Sequence, residues 1–386
     1  MRFVFRADAS LTIGTEHVMR CLTLADTLAC NGHEVIFLSR DLPGDLNDTI
    51  RERGYQHHAL AFEPEGELAD LALYDELFLE LCHGDPVKYP IDWLVVDHYG
   101  LDDYWESQMR PYVQGIFVID DLADRTHDCD LLLDQNYMLD QHRTYQKRVP
   151  EHCLLLVGSD YALIRPEFTT RRETLIRQNN PTRFRKVRHV LVNMGDQDVD
   201  NLTETILEGL NIVQKQFKPR PRLDITVVIG QNNQHRQAIQ RQVETLGFEY
   251  YVNPGPFVEK MIEADLFIGG AGISTWERMA IGLPGIIVTP DKLQMDMNRS
   301  LAQQGYQFFL GPARNTKKDI SSTITPEEIA SMVHTAILSP ELMVFMREKG
   351  LRLIDAQGTA RVCDALESLI LSKLGSLDNL FSDSII

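Results

Sequence analysis

Short runs of apolar and β-branched residues alternate along the chain with longer segments in which apolar residues recur every three to four positions. The short runs predict buried strands, and the longer segments predict amphipathic helices. Strands separated by helix-length segments are typical of parallel sheets with helical crossovers. The predicted strands are RFVF, EVIFLS, WLVV, IFVID and CLLLV in the first half, and HVLVN, DITVVI, FEYYV, DLFIG and GIIVT in the second.

The two groups of strands predict two doubly wound α/β domains. We expect an N-terminal Rossmann-like domain over residues 1–165, a linker over 166–186, a second domain over 187–330, and C-terminal helices and a tail over 331–386. The linker is placed where apolar periodicity lapses and Arg, Asn and Pro take over. The C-terminal helices can cap the second domain or pack back on the first.

The composition indicates an ordinary globular protein that is long enough for two cores. Of its 386 residues, 44% are hydrophobic and 24% are charged. The formal net charge of -18 argues against a nucleic-acid partner, because a broad negative field repels phosphates. The sequence has no run of 18 apolar residues, so we expect no membrane span. Its N-terminus does not resemble a signal peptide, so we do not expect secretion. The six scattered cysteines are typical of free thiols, so we expect a cytoplasmic protein.

A first candidate for catalysis lies between the first predicted strand and the first helix. Apolar residues recur at helical spacing from Val18 to Leu28, and Gly32 is predicted to end this helix. The helix is therefore predicted to begin near His17, directly after Gly14. The positive end of a helix dipole disfavours a protonated imidazole, and a neutral imidazole suits a general base. The alternative is an exposed first-turn histidine without a role.

A second candidate follows the predicted strand DLFIG. The glycines of the segment 269–272 permit a close backbone approach, and Ser274 and Thr275 are predicted to open a helix with Glu277 in its first turn. Backbone N–H groups, hydroxyls and a helix dipole then converge as a pyrophosphate requires, and Glu277 can accept from a ribose diol. The pattern is neither a Walker motif nor GxGxxG, which disfavours an NTPase or a dinucleotide enzyme. A plain tight turn is the alternative.

Polar residues also follow other predicted strands. Asp97 and Tyr99 come after WLVV, and Asp120 and Asp121 end IFVID. In an α/β domain such residues often face the ligand crevice, although Asp is also a common loop residue and helix cap. The segment DRTHDCD has a spacing that matches no common zinc site, so we expect a solvated loop there and no metal.

Several ordered motifs extend over roughly residues 1–315: RADASLTIGTEHVMRCLTLA, VDHYGLDDYWE, IDDLADRTHDCDLLLDQN, YALIRPEF and STWERMAIGLP. Together they resemble the UDP-sugar hydrolase family of pseudaminic acid biosynthesis. The family is similar to the GT-B superfamily and shares its nucleotide loop with the transferase that adds GlcNAc in peptidoglycan synthesis. The resemblance implies a GT-B-like fold, with two doubly wound Rossmann-like domains facing a cleft.

The resemblance also implies an activity, which is release of 2,4-diacetamido-2,4,6-trideoxy-L-altrose from its UDP-linked form with inversion. It implies that His17, on the N-terminal domain, activates water. No cofactor is expected, and the partner is the small-molecule UDP-sugar. The residues implied to hold the nucleotide on the second domain are Gly272, Ser274, Thr275 and Glu277. Those implied to bind the substrate are Gly14, Arg20, Tyr99, Asp198 and Gln294.

The chain departs from the family pattern at three positions. Glu16 replaces the glycine before the histidine, Asp196 replaces a glycine in GDQDVDN, and Leu293 replaces an asparagine. The Glu16 carboxylate can either raise the basicity of His17 or obstruct the phosphate. Two other functions fit the same motifs: an inverting UDP-sugar glycosyltransferase, and a catalytically silent nucleotide-sugar-binding protein.

Overall fold

The chain folds into parallel sheets flanked by helices. The computed structural model describes residues 1–60, 71–137, 144–178, 186–217, 222–289, 292–311 and 324–382. The strands are β1 (Arg2–Ala7), β2 (Glu34–Arg40), β3 (Gln56–Leu60), β4 (Ile91–Asp97), β5 (Val113–Ile119), β6 (Leu131–Asp134), β7 (Leu154–Val157), β8 (His189–Asn193), β9 (Asp224–Ile229), β10 (Glu249–Val252), β11 (Leu266–Gly269), β12 (Gly285–Val288) and β13 (Phe308–Leu310).

The α-helices alternate with the strands. They are α1 (Glu16–Cys30), α2 (Asn47–Glu52), α3 (Leu71–Leu81), α4 (Asp103–Met109), α5 (Pro166–Gln178), α6 (Leu202–Ile212), α7 (Arg236–Leu246), α8 (Phe257–Glu263), α9 (Ile273–Ala280), α10 (Lys292–Gln303), α11 (Pro326–Leu338), α12 (Pro340–Leu353) and α13 (Gly358–Ser382). Among the described residues, no single helix has the length and hydropathy to cross a membrane, and one bent helix pair passes on length and composition alone.

The first compact unit comprises residues 1–163 and 357–386. Its seven parallel strands lie in the order β3-β2-β1-β4-β5-β6-β7. Alternate side chains of the central strands enter two cores, because helices cover both faces. Phe5 and Trp93 pack with α1 and α13 on one face, whereas Val4 and Leu94 pack with α3 and α4 on the other. The Trp93 indole N–H donates to the Leu366 carbonyl at 3.1 Å, so α13 packs on this unit.

The second compact unit comprises residues 164–356. Its six parallel strands lie in the order β10-β9-β8-β11-β12-β13. In each sheet the strand order reverses beside the first strand, between β1 and β4 and between β8 and β11. Ligands of open α/β sheets bind at such a reversal, outside the carboxyl ends of the strands. The loop before α1 and the loop before α9 follow β1 and β11, so both candidate segments lie at these positions.

The ten predicted strands are all present, and three more strands appear. The edge strand β3 is missed because its sequence QHHAL lacks an apolar run, and β13 because it has three residues. The short strand β6 is missed because it lies inside a motif whose polar residues predict a loop. The helix α5 occupies most of the stretch predicted to be a linker, and of the remainder only residue 186 is among the described residues.

Candidate functional site

The carboxyl ends of β1 and β4 bring together the first group of candidate residues. The two strands are paired in register, with Ala7 opposite Asp97. The chain leaves β1, makes a short loop and enters α1 at Glu16, as the sequence predicted. His17 is therefore the second residue of the helix and lies beside the end of β4. Only 5% of its surface is exposed, so His17 is not the exposed first-turn histidine of the alternative.

His17 is fixed by a fully buried carboxylate. Its Nδ1 lies 2.6 Å from Oδ1 of Asp97. Burial alone would raise the pKa of Asp97, but the charge of Arg20 and hydrogen bonds from Arg20 and His17 hold that pKa well below its usual range. An ionised carboxylate can only accept, so Nδ1 carries the proton and Nε2 of the neutral ring is left with its lone pair. Nε2 makes no hydrogen bond within the described part of the chain.

Arg20 completes the support of this pair. It lies one helical turn after His17 on the same face of α1. Its Nε donates to Oδ2 of Asp97 at 2.5 Å, and its Nη2 donates to Oδ1 at 2.6 Å. Its Nη1 donates to Oδ2 of Asp121 at 2.7 Å. Burial lowers the pKa of Arg20, but Asp121 and Asp97 raise it well above its ordinary value, so the guanidinium stays charged.

Tyr99 packs against the histidine from the loop after β4. Its ring meets the His17 ring edge to face, with 4.5 Å between the centroids. Its hydroxyl donates to Oδ2 of Asp121 at 3.0 Å. Burial and the Asp121 carboxylate raise the pKa of Tyr99 well above its usual value. The structure therefore brings three predicted residues, His17, Arg20 and Tyr99, into one cluster with Asp97 and Asp121.

The loop before α1 is closed by local hydrogen bonds. The Gly14 amide donates to the Ser10 carbonyl at 2.9 Å, and the Ser10 amide donates to the Gly14 carbonyl at 3.2 Å. Gly14 has a φ of +89°, a conformation that side-chain-bearing residues rarely adopt. The Gly14 N–H already donates to the Ser10 carbonyl. The predicted role of Gly14 in substrate binding therefore includes the backbone conformation that it gives to this loop. No side chain caps the N-terminus of α1.

In the second unit, the glycine-rich loop leads from β11 into α9. A Cβ on Gly269 would lie 2.0 Å from the Asn193 carbonyl oxygen, so close contact with the end of β8 requires this glycine. Gly272 has a φ of +155° and is the N-cap of α9 without a side-chain hydrogen bond. Ser274 and Thr275 lie in the first turn, and the buried Thr275 hydroxyl has no hydrogen-bond partner among the described residues. The Thr275 amide donates to the Gly272 carbonyl at 2.9 Å, and no side chain caps the start of α9.

Glu277 was predicted to lie in the first turn of α9. It lies one position beyond that turn, because the helix begins at Ile273. Its carboxylate is 2% exposed and accepts from Nε and Nη2 of Arg165 at 2.5 and 2.9 Å. The arginine belongs to the motif YALIRPEF. This pair could not be predicted from the sequence, since 112 residues separate its members. A carboxylate held by one guanidinium still has lone pairs for other donors.

The two remaining predicted substrate residues have structural contacts in the second unit. Both carboxylate oxygens of Asp198 accept backbone amides at the start of α6, from Leu202 and Thr203, each at 2.9 Å. Gln294 is half-buried in α10, where its backbone carbonyl accepts from the Asn298 side chain at 2.7 Å. The substituted residue Asp196 accepts from the Asn232 side chain at 2.8 Å. The Leu293 side chain lies outside the described residues.

The segment DRTHDCD is not the solvated loop that its polar composition predicted. His127 is buried and its Nδ1 lies 2.7 Å from the Glu106 carboxylate. Asp128 and Asp130 both pair with Arg110. Hydrogen bonds to Glu106 in α4 and to Arg110 just after it explain why polar residues of this segment are buried, whereas Asp124 and Thr126 are exposed. In the parts of the chain that the structure describes, no group of three or more His, Cys, Asp or Glu side chains could hold a metal ion.

Comparison with known proteins relates the chain to sugar-nucleotide enzymes. Residues 189–332 match the family model of the glycosyltransferase family 28 C-terminal domain. The UDP-2,4-diacetamido-2,4,6-trideoxy-beta-L-altropyranose hydrolase of Campylobacter jejuni is 27% identical over 62% of this chain and 74% of its own length. That match confirms the resemblance seen in the motifs. Spore coat polysaccharide biosynthesis protein SpsG of Bacillus subtilis is 22% identical over 94% of this chain and 97% of its own length.

Two further matches bear on coverage and fold. An uncharacterised protein of Methanocaldococcus jannaschii is 22% identical over 77% of this chain, and the match spans 57% of that protein's length. The crystal structure of MurG from Acinetobacter baumannii has a TM-score of 0.63 at 14% identity, covering 95% of this chain and 99% of that one. The two parallel sheets and this likeness confirm the predicted two-domain, Rossmann-like GT-B fold.

Proposed function

We propose that the protein hydrolyses a UDP-linked 2,4-diacetamido-2,4,6-trideoxy sugar at the anomeric C–O bond, giving UDP and the free sugar with inversion. The observation that carries the proposal is the 2.6 Å contact between Nδ1 of His17 and Asp97. It fixes the tautomer in which Nε2 can take a proton, as a general base requires. The related hydrolase of Campylobacter jejuni supplies the substrate class.

The proposed reaction needs one proton transfer and one displacement. Nε2 of His17 takes a proton from water, and the water oxygen attacks the anomeric carbon from the face opposite to UDP. The bond between that carbon and the phosphate oxygen breaks, and its electron pair leaves with UDP. Asp97 stabilises the imidazolium that forms and keeps the ring in place. No covalent intermediate is needed, so the catalytic contribution is positional and electrostatic.

The loop from Gly272 to Glu277 is proposed to hold the leaving group. The uncapped amides at the start of α9 and the helix dipole favour the negative charge that develops on UDP. The unpartnered hydroxyl of Thr275 is a further donor for a ligand oxygen. Glu277 is proposed to accept from the ribose hydroxyls while Arg165 holds its carboxylate in place. Arg20, Tyr99, Asp198 and Gln294 remain proposed substrate residues, of which Asp198 already accepts two backbone amides.

An inverting glycosyltransferase is the second candidate, because residues 189–332 match a glycosyltransferase family. In that reaction the same base deprotonates an acceptor hydroxyl in place of water. The two functions differ in one requirement, namely an acceptor. A silent binding protein differs from both, because it binds UDP-sugar without turnover.

Incubation of the purified protein with the UDP-sugar, without an acceptor, tests the proposal. The hydrolase releases UDP at a steady rate, and His17→Asn reduces that rate by about 10²- to 10⁴-fold while UDP binding persists. His152→Asn is a matched control, because the His152 side chain is 62% exposed and its Nε2 lies 3.7 Å from Oδ1 of Asp130, away from the proposed site. Turnover that requires an acceptor supports the transferase, and binding without turnover supports the silent protein.

A further inference from the structure

We infer that Asp121 is a positioning residue that balances the charge of Arg20 and thereby leaves the charge of Asp97 available to the protonated His17. The inference rests on the proposed function, in which His17 becomes an imidazolium once in each turnover. Asp121 touches neither His17 nor the proposed reacting atoms. It acts through Arg20 and through Tyr99, both of which it binds directly.

The arrangement of Arg20 creates the need for a second carboxylate. Its guanidinium donates two hydrogen bonds to Asp97, so the two groups alone form a neutral pair. Its Nη2 also lies 3.3 Å from Nδ1 of His17. A permanent cation at that distance opposes a second positive charge on the imidazole ring. Asp97 paired only with Arg20 would therefore orient His17 without stabilising its protonated form.

Asp121 changes that balance. It accepts from Nη1, the one guanidinium nitrogen of Arg20 that does not face Asp97, at 2.7 Å. Asp97, Arg20 and Asp121 have a summed charge of -1. With His17 included, the cluster is at -1 while the imidazole is neutral and at zero once the imidazole takes a proton. A buried cluster favours that neutral state, since uncompensated charge in a low-dielectric surrounding is costly.

The remaining groups around His17 do not alter this count. Burial raises the pKa of Cys21, whose thiol donates to Asp97 at 3.6 Å, and the pKa of Tyr99 is raised as well, so both stay neutral. Glu16, the residue before His17 in α1, is exposed, so water and salt screen its charge. The charged groups that face His17 from α1, β4 and the loop after β5 are therefore Arg20, Asp97 and Asp121.

Asp121 has a second contact with a separable effect. It accepts from the Tyr99 hydroxyl at 3.0 Å, and the Tyr99 ring packs edge to face on the His17 ring. This contact restrains the orientation of both rings. Tyr99→Phe removes the hydroxyl contact and keeps all charges, whereas Asp121→Asn removes the charge and keeps the size of the side chain. The two variants thus separate the charge effect from the packing effect.

The test measures the titration of His17 by NMR of its ring and the pH dependence of kcat/KM. In Asp121→Asn we expect the titration midpoint of His17 and the acid limb of the rate profile to move together to lower pH, by about one unit. Asp121→Glu should restore most of this shift, and Tyr99→Phe should leave the midpoint in place. Asp128→Asn is the matched control, because it also removes a carboxylate from an arginine, Arg110, away from His17.

The two readouts separate the inference from the proposed function. The NMR titration needs no substrate, so a shifted midpoint in a protein that does not hydrolyse the UDP-sugar supports the role of Asp121 and overturns the hydrolase. A midpoint that is unchanged in Asp121→Asn, or that moves to higher pH, overturns the inference even if activity is lost. A shift of equal size in Asp128→Asn overturns it as well, because the effect would then be general to the loss of any acidic side chain.

Discussion

Replacement of Asp97 by Asn tests the support of the proposed base most sharply. The change keeps the size of the side chain but removes its charge and one acceptor oxygen. Four hydrogen bonds depend on that carboxylate: one from His17 at 2.6 Å, two from Arg20 at 2.5 and 2.6 Å, and a weak one from the Cys21 thiol at 3.6 Å. The amide NH2 group of the new asparagine must face one of these donors, so at least one contact becomes repulsive.

The magnitude follows from which donor is lost. If the amide nitrogen faces Nδ1, the imidazole adopts the other tautomer and Nε2 carries the proton, so it is no longer a base. A change of this kind in a catalytic triad costs about 10⁴-fold in kcat, and we expect a loss of about 10²- to 10⁴-fold. Breaking one partner of a buried ion pair costs roughly 3–5 kcal/mol, which lowers Tm by about 6–20 °C for a unit of this size.

The assay is acceptor-free UDP release at a temperature where the variant is folded, with circular dichroism for Tm and calorimetry for UDP affinity. Asp8→Asn is the matched control, because Asp8 is also buried at a strand end and bound by two nitrogens of Arg6, at 2.6 and 2.9 Å. It should lose comparable stability and keep kcat within about threefold. Retention of the wild-type kcat by Asp97→Asn, or an equal loss in Asp8→Asn, would refute the reasoning.

Three further predictions concern other groups. Glu277→Gln should weaken UDP binding by about 1–3 kcal/mol in calorimetry, and unchanged affinity would remove Glu277 from the nucleotide site. Burial raises the pKa of Asp134 to about 7, above an unfolded value of about 3.9, so its contribution to stability is present below about pH 4 and lost as pH rises to about 7. The free energy of unfolding of Asp134→Asn, measured with urea, should therefore rise relative to that of the wild type by up to about 4 kcal/mol over that pH range. A difference between the two proteins that does not depend on pH would contradict this. Glu16→Gly should move the acid limb of the rate profile to lower pH, whereas a faster enzyme with an unmoved limb would mean that Glu16 obstructs the substrate.

The sequence predicts the fold well because buried parallel strands leave a strong local signal. GIIV and the central VLV of HVLVN are apolar on both faces, and each run is a strand in the structure. The extent of α1 could also be predicted, since apolar spacing indicates where the helix begins and Gly32 indicates where it ends. The strands that escape prediction are short or polar, as β3 and β13 are, because their pairing and not their own sequence makes them strands.

The contacts of the site could be predicted only in part. Asp97 and Asp121 are recognisable as strand-end carboxylates, but nothing local assigns them to His17 or Arg20. The partners are 80 and 101 residues apart, and they meet because β1, β4 and β5 are neighbours in the sheet. The burial of His127 with Glu106 was missed for the same reason. A polar segment appears solvated in sequence unless its partner from another element is known.

Hydrolysis in water enriched in ¹⁸O tests the central claim most directly, because it reports which bond is broken and by what. The purified protein is supplied with the UDP-linked diacetamido-trideoxy sugar and no acceptor, and the products are analysed by mass spectrometry and NMR. Our account predicts equal amounts of UDP and free sugar, with the label on the anomeric oxygen of a sugar released with inverted configuration. Label in the phosphate of UDP, or no UDP without an acceptor, would contradict it.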